Sequence, residues 1–318
     1  MKDYDTSLVV AAWDQPQGLL DLIGMSFRLW RRNFGFIVRV LIWPSIILMI
    51  GNTGLQCCFT YIQSFAHDIP KGILLFVASL VFLIVGAIRL GVVLLALLRI
   101  TNGFAIDWPA AMAYAWKRIS WLVGLCTLTS LMSILVMGFW FFLFGISIAI
   151  AQTGPAGQVA AICAMLISGL GFTVTIILLS LYWCLLMPIL ACADTTFFGV
   201  LGRSFQMLVR HFLRVLGFGC VIYMVMIAAA VPVSLPVALA SAGDIAYRQI
   251  TTGSYGDGSP SLFVVIFAQF WETLTQMVLR PVTTFAFGLL YLDLRHRADG
   301  LDLRRRLRQL KEQLSASS

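Results

Sequence analysis

Residues 73–100 read ILLFVASLVFLIVGAIRLGVVLLALLRI, and Arg89 and Arg99 are the only charged side chains in this stretch. A helix of about 20 apolar residues crosses the roughly 30 Å hydrocarbon core of a bilayer, so the stretch is long enough to span it. A membrane β-strand takes only about 10 residues and alternates in polarity, which this run does not. Only a helix satisfies the backbone hydrogen-bonding groups within a single segment. The stretch therefore predicts a transmembrane helix.

Five more runs of this kind lie on either side of it. The six predicted spans are residues 36–64, 73–100, 121–151, 159–193, 212–242 and 261–292. Hydrophobic residues make up 60% of the 318 positions and charged residues 11%, whereas soluble domains are about half apolar and a quarter charged. Composition thus excludes an ordinary soluble protein. We expect an all-α integral membrane protein with six transmembrane helices in one membrane domain, 1–318.

The basic residues predict the orientation of these spans. All but four of the 22 Lys and Arg side chains fall in segments on one side of the predicted bilayer. Lys71 and Arg248 fall on the other side, while Arg89 and Arg280 lie inside spans. Loops rich in Lys and Arg stay in the cytoplasm, so we expect a multi-pass protein of the cell (inner) membrane with both termini cytoplasmic.

A short amphipathic segment precedes each predicted outward span. The first includes Leu20 to Phe34, the second begins at Asp107, and the third includes Phe197 to Phe212. Each combines an apolar stripe at helical spacing with basic side chains, which is typical of a helix lying on a membrane surface. These basic residues are Arg31, Arg32, Lys117, Arg118, Arg203 and Arg210. Because the positive charge is spread over membrane-proximal segments, we expect it to bind anionic lipid headgroups and not nucleic acid.

The three segments also resemble one another in sequence. Trp30-Arg31-Arg32 aligns with Trp116-Lys117-Arg118 and then with Leu208-Val209-Arg210. This predicts three pseudo-repeats, at about 18–100, 107–193 and 196–292, each an interfacial helix followed by a membrane hairpin. The alternative is that the segments are unrelated linkers on the membrane. Residues 293–318 form a predicted cytoplasmic tail with a basic amphipathic helix, which rests on lipid or binds a partner protein helix.

The predicted sixth span carries a polar stripe inside the membrane. Gln269, Glu272, Gln276 and Arg280 recur at helical spacing, and polar groups at that depth usually face protein or water. With Arg89 of the second span they form a candidate polar cluster. We expect Arg89 to pair with Glu272, with Arg280 competing. The cluster either lines a polar path or is a structural pair that fixes helix packing.

Catalytic motifs are missing from the sequence. The seven cysteines lie within predicted spans without metal-ligand spacing, and no phosphate-binding glycine loop or nucleophile elbow is present. We therefore expect no catalytic residue, no metal site, no cofactor and no enzymatic activity.

The closing string from Gly288 to Leu303, GLLYLDLRHRADGLDL, resembles the last motif of the glycerophosphoryl diester phosphodiesterase membrane domain family. That motif has an aromatic residue, then Asp-x-Arg, a basic residue, Glu-Gly and Phe-Asp-Leu. The segment GRSFQMLVRHFLRVLGF, which begins at Gly202, resembles the arginine-serine helix before that family's last hairpin. Ala298 and Leu301 depart from the motif, where Glu and Phe are usual. The matching residues are Tyr291, Asp293, Arg295, Arg297, Gly300, Asp302 and Leu303.

The resemblance implies a six-helix membrane module of unassigned role. In the phosphodiesterases a separate soluble barrel performs hydrolysis, and we expect no such domain in the residues beyond the motif. The sequence therefore favours a non-enzymatic multi-pass protein that organises the membrane or scaffolds a complex, with membrane proteins as possible partners. The alternative is a transporter or permease subunit with its path along the sixth-span stripe. A hydrated cavity reaching Glu272 would favour transport, and a closed apolar bundle would favour the scaffold.

Overall fold

The computed structural model describes residues 18–60, 69–105, 107–152, 154–192, 196–252 and 261–299, and within these ranges it is helical, with no β-strand. Six long helices are apolar enough to cross a membrane, which confirms the all-α membrane fold and the six predicted spans. The helices are α1 (Leu19–Arg32), α2 (Phe34–Thr60), α3 (Ile69–Thr101), α4 (Trp108–Lys117), α5 (Ile119–Ala151), α6 (Pro155–Cys192), α7 (Phe197–Arg210), α8 (Phe212–Thr252) and α9 (Leu262–Asp299).

The described helices follow one order three times, a short helix and then two long ones. A single residue separates each short helix from the next long one: Asn33, Arg118 or His211. The first and third junctions agree with the sequence alignment, whereas the second falls one residue earlier, at Arg118. The internal repeat itself stays a prediction, and the predicted tail helix beyond residue 299 lies outside the described residues.

Small residues let the short helices approach the bundle closely. Seven positions before the three junctions stand Ser26, Ala111 and Ser204, and each is completely buried. The two serine hydroxyls donate to carbonyl oxygens of their own helices, Ser26 to Ile23 at 2.7 Å and Ser204 to Val200 at 2.9 Å. Their polar groups are therefore satisfied inside an apolar contact.

The long helices form a closed ring. α3, α6 and α9 contact one another at the centre, and α2, α5 and α8 pack outside them, each against its hairpin partner and against the inner helix of the preceding unit. Each short helix also lies on the inner helix that precedes it in the ring, α4 on α3 and α7 on α6. The ring closes because α1 and α2 pack against α9.

The hydrophobic core is concentrated at one end of this ring. Leu95 and Leu98 of α3, Leu185 and Ile189 of α6, and Phe285 of α9 are at most 1% exposed. We call this the basic end: the short helices α1, α4 and α7, the three junctions, and the last turns of α3, α6 and α9. The opposite end is the far end.

The far half of the bundle presents apolar side chains outward. Leu74, Leu135, Leu166 and Leu239 are 70%, 60%, 70% and 71% exposed. Such exposure would be costly in water but matches a surface covered by lipid tails. The buried core and the lipid-facing half thus divide the bundle along its length.

Glycines hold the first hairpin together. A Cβ atom on Gly51 would lie 2.5 Å from the backbone nitrogen of Leu83, and one on Gly86 would lie 2.7 Å from that of Leu48. α2 and α3 therefore pack nearly backbone to backbone, which small residues permit in membrane helices.

The three inner helices meet at a polar contact near the basic end. Asn102, just after α3, donates through Nδ2 to the sulfur of Cys192 in α6 at 2.9 Å. A Cβ on Gly288 of α9 would lie 3.4 Å from Asn102 Oδ1. That oxygen is buried and has no hydrogen-bond partner among the described residues. The contact fixes the separation of α3, α6 and α9.

Candidate functional site at the basic end

Asp293, near the end of α9, is the centre of an ionic clamp. Its side chain is 3% exposed, and Arg214 in the first turn of α8 approaches its Oδ2 through Nε at 2.9 Å and through a terminal nitrogen at 2.8 Å. Arg297, one turn further along α9, donates to the same oxygen at 3.1 Å. A buried carboxylate is stable only when it is paired and hydrogen-bonded. The clamp therefore ties the start of α8 to the end of α9.

A basic pocket lies beside this clamp, between α7 and α9. Its volume is about 360 Å³. Arg203 and Arg210 are exposed on α7, and Arg295 reaches it from α9. Among the described residues that line the pocket, none is acidic. They are Arg203, Gln206, Met207, Arg210, His211, Tyr291, Arg295 and Ala298.

His211 lies at the junction of α7 and α8, on the wall of this pocket. Its Nε2 is buried and has no hydrogen-bond partner within the described parts of the chain. Burial lowers the pKa of His211, the positive charges of Arg210, Arg297 and Arg214 lower it further, and Asp293 opposes them. The imidazole is therefore neutral near pH 7, and the pocket's positive charge comes from its arginines.

The opposite exposed side of α7 is apolar. Phe198, Phe205 and Val209 are 79%, 63% and 61% exposed. Phe205 and Val209 line an apolar groove of about 730 Å³, whose floor includes Leu128 of α5 and Tyr182 of α6. α7 thus has a buried face on the bundle, a basic face toward the pocket and an apolar face toward the groove.

The predicted interfacial basic residues occupy two kinds of environment. Arg31, Arg32 and Lys117 are exposed. Arg118 is partly buried, and its guanidinium lies 4.8 Å from the Tyr114 ring centre and 4.7 Å from that of Trp121. This stacking indicates that Arg118 holds α4 against the bundle.

Arg99, near the end of α3, also stacks on an aromatic ring. It lies 3.4 Å from the centre of the Tyr114 ring and donates to the carbonyl oxygen of Ala191 at 2.9 Å. It therefore links α3, α4 and α6.

Comparisons of the chain with models of known protein families, with curated proteins and with solved structures find no match. The resemblance to the phosphodiesterase membrane domain family stays a prediction.

The described part of the closing motif lies in the last turns of α9. Tyr291 is 2% exposed and lines the pocket, and Asp293 forms the clamp with Arg297. Arg295 lies 5.9 Å from the ring centre of Phe104 and also faces the pocket. Gly300, Asp302 and Leu303 lie outside the described residues. The motif positions therefore build both the clamp and one wall of the pocket.

The candidate polar cluster does not come together as expected. Arg89 and Glu272 are both exposed, and no ion pair joins them among the described residues. Gln269 is 4% exposed and Gln276 is exposed. The expected Arg89 to Glu272 pair is therefore not formed, and no ion pair joins Glu272 to the competing Arg280 among the described residues.

In the described ranges, no group of three His, Cys, Asp or Glu side chains is arranged to hold a metal ion.

Sequence reasoning found Arg203, Arg210 and Arg295 but missed what surrounds them. Gln206, Met207 and His211 were not singled out as lining residues, and Arg214 was counted only as a charge. The available signal was Asp293, an acid surrounded by basic residues at the end of an apolar helix. Such a carboxylate needs cationic partners, although the sequence does not say which arginine reaches it.

Proposed function

We propose that this chain is a non-enzymatic membrane module that gathers anionic lipids at its basic end, and so organises the bilayer or scaffolds a complex there. The observation that carries the proposal is the arrangement around α7. Arg203 and Arg210 present positive charge on one exposed side, and Phe198 and Phe205 present aromatic surface on another. Anionic headgroups suit the first side and acyl chains suit the second.

Core packing supports this function over the transporter alternative. Leu95, Leu185, Ile189 and Phe285 fill the space between the inner helices at the basic end and are at most 1% exposed. A polar path along the α9 stripe would have to pass this apolar layer. Arg89 and Glu272 do not pair, so the contact that was expected between α3 and the polar stripe of α9 is not formed.

Quenching of tryptophan fluorescence by brominated lipids tests the proposal. The purified chain is placed in bilayers of brominated phosphatidylcholine or brominated phosphatidylglycerol at equal mole fraction. We expect the anionic lipid to quench more strongly, with a relative affinity about fivefold higher for each headgroup held by one basic side chain, from about 1 kcal/mol per residue.

Salt provides the control, because the preference is electrostatic. Raising the ionic strength from about 0.01 M to 1 M shortens the Debye length from about 30 Å to 3 Å and should reduce the preference. Equal quenching by the two lipids at low salt would refute the proposed function.

A further inference from the structure

The pocket between α7 and α9 is a defined cavity. Attraction of anionic lipids to a positively charged surface would not require such a cavity. Three separate elements build it: α7, the His211 junction and the last turns of α9. Its volume of about 360 Å³ lies at the lower end of small-molecule sites, which run from about 300 to 1,000 Å³. A single phosphorylated headgroup fits such a space, and a whole phospholipid does not.

The lining of the pocket is positively charged, and Arg203 and Arg210 supply this charge from α7. Arg203 and Arg210 stand two helical turns apart on α7, so their side chains share one face. Arg295 approaches from α9. The described lining contains no acid, and the nearby Asp293 already binds Arg214 and Arg297.

Neither Arg203 nor Arg210 forms an ion pair within the described part of the chain. Their guanidinium groups keep donors for a ligand, in the planar arrangement that binds two phosphate oxygens at once.

The Nε2 atom of His211 is a second, independent indication of a ligand. This atom is buried and makes no hydrogen bond to any described residue, and His211 is one of the residues that line the pocket. A buried polar atom without a hydrogen bond is unfavourable, because it has lost its hydrogen bonds to water. As a neutral imidazole that carries its proton on Nε2, His211 would donate to an anionic oxygen in the pocket.

We propose that this pocket is a saturable site for one phosphate group, carried either by a phospholipid headgroup or by a free phosphorylated solute. Arg203, Arg210 and Arg295 neutralise the phosphate, Gln206 and His211 donate to its oxygens, and Tyr291 and Met207 shape the uncharged wall. The site rests on the proposed function, since it is the point at which the basic end would hold a headgroup most tightly.

Calorimetric titration of the full chain in phosphatidylcholine nanodiscs tests the site with two probes. One is dihexanoyl phosphatidic acid and the other is glycerol 3-phosphate. We expect saturation at one phosphate per chain. Equal affinity for both probes assigns the site to free phosphorylated solutes, and tighter binding of the lipid assigns it to headgroups.

Three pocket variants and one control test whether the phosphate binds in this pocket. Arg203→Gln, Arg210→Gln and Arg295→Gln each remove a charge-assisted hydrogen bond, so each should weaken binding about tenfold to hundredfold. Arg203 and Arg210 are exposed, so their replacement leaves the core packing intact. The control is Arg28→Gln, which removes an exposed arginine from α1 and should leave the phosphate affinity unchanged.

The outcomes separate the site from the broader function. The site is overturned if neither probe saturates, or if the three pocket variants bind as tightly as the control does. If the chain shows no saturable phosphate binding but still prefers the anionic lipid in the quenching experiment, the site is overturned and the proposed function stands. If phosphate binding saturates but both lipids quench equally, the proposed function is overturned and the phosphate site stands.

Discussion

A buried carboxylate needs cationic partners, whereas an exposed one does not. Asp293 and Glu272 of α9 show this difference. Asp293 is 3% exposed and holds Arg214 and Arg297, whereas Glu272 is exposed. Asp293→Asn should lower the free energy of unfolding by about 1–3 kcal/mol, less than a fully buried pair would lose, because both arginines keep some access to water.

Glu272→Gln is the matched control on the same helix, and it should change stability by less than about 0.5 kcal/mol. Unfolding in mixed micelles of increasing denaturing-detergent fraction measures both variants. Equal stability of the two variants would show that the clamp contributes nothing.

His211 makes stability depend on pH. Burial and three neighbouring arginines lower its pKa in the folded protein, while an unfolded His titrates near 6.5. The folded state therefore binds fewer protons, so the stability conferred by the neutral imidazole is present above about pH 6.5. It is lost as the pH falls through that value toward the folded pKa.

We therefore expect the apparent melting temperature of the wild type to fall more between pH 7.5 and 5.5 than that of His211→Gln. Thermal unfolding in detergent at a series of pH values measures this difference. Parallel curves would contradict the role of His211.

Residue types were easier to predict than contacts at this scale. The sequence identified Arg203, Arg210 and Arg295 as cations because charge is read directly. It did not predict that Arg118 stacks on Tyr114 and Trp121. Pairing across helices depends on their rotation and depth, which hydropathy leaves open, and the expected Arg89 to Glu272 contact failed for that reason.

At the scale of elements, the packing of α2 on α3 depends on glycine. A methyl group at Gly51 would lie 2.5 Å from a backbone nitrogen of Leu83, whereas one at Gly138 of α5 would meet nothing within 4 Å. Gly51→Ala must separate the helices and should cost about 1–3 kcal/mol. Gly138→Ala should be neutral or stabilise its helix by up to about 1 kcal/mol.

Thermal unfolding of both glycine variants in the same detergent compares them directly. A Gly51→Ala protein as stable as Gly138→Ala would mean that α2 and α3 are not in backbone contact. Because both substitutions add one methyl to a long apolar helix, intrinsic propensity cancels in the comparison.

The elements themselves were predictable, since long apolar runs and 3.6-residue periodicity are local signals. Residues 212–242 were predicted for the fifth span, whereas the helix extends to Thr252, because hydropathy marks the end of the apolar run and not the end of the helix. The position of the second junction at Arg118 was missed by one residue. No glycine or proline stands at this junction to show where the short helix ends.

At the scale of the whole molecule, the ring of three hairpins was not predictable from the sequence. α1 and α9 stand at opposite ends of the described chain, and both present generic apolar faces, so no local pattern pairs them. Their contact nevertheless closes the ring. The alignment did pair Ser26 with Ser204, and both are completely buried. In the second segment it pairs them with Met112, whereas the completely buried small residue is Ala111.

Orientation is a property of the whole molecule and follows from the distribution of charge between its two ends. The basic end carries α1, α4 and α7 with most of the arginines, so the positive-inside bias predicts that it faces the cytoplasm. Asp21 of α1 is exposed there, and Gln152, which follows α5, is exposed at the far end. In a background without the native cysteines, an impermeant maleimide on intact cells should label Gln152→Cys and spare Asp21→Cys until the membrane is permeabilised. The reverse pattern would place the basic pocket outside the cell, where the proposed phosphate site would meet a different leaflet and a different set of phosphorylated solutes.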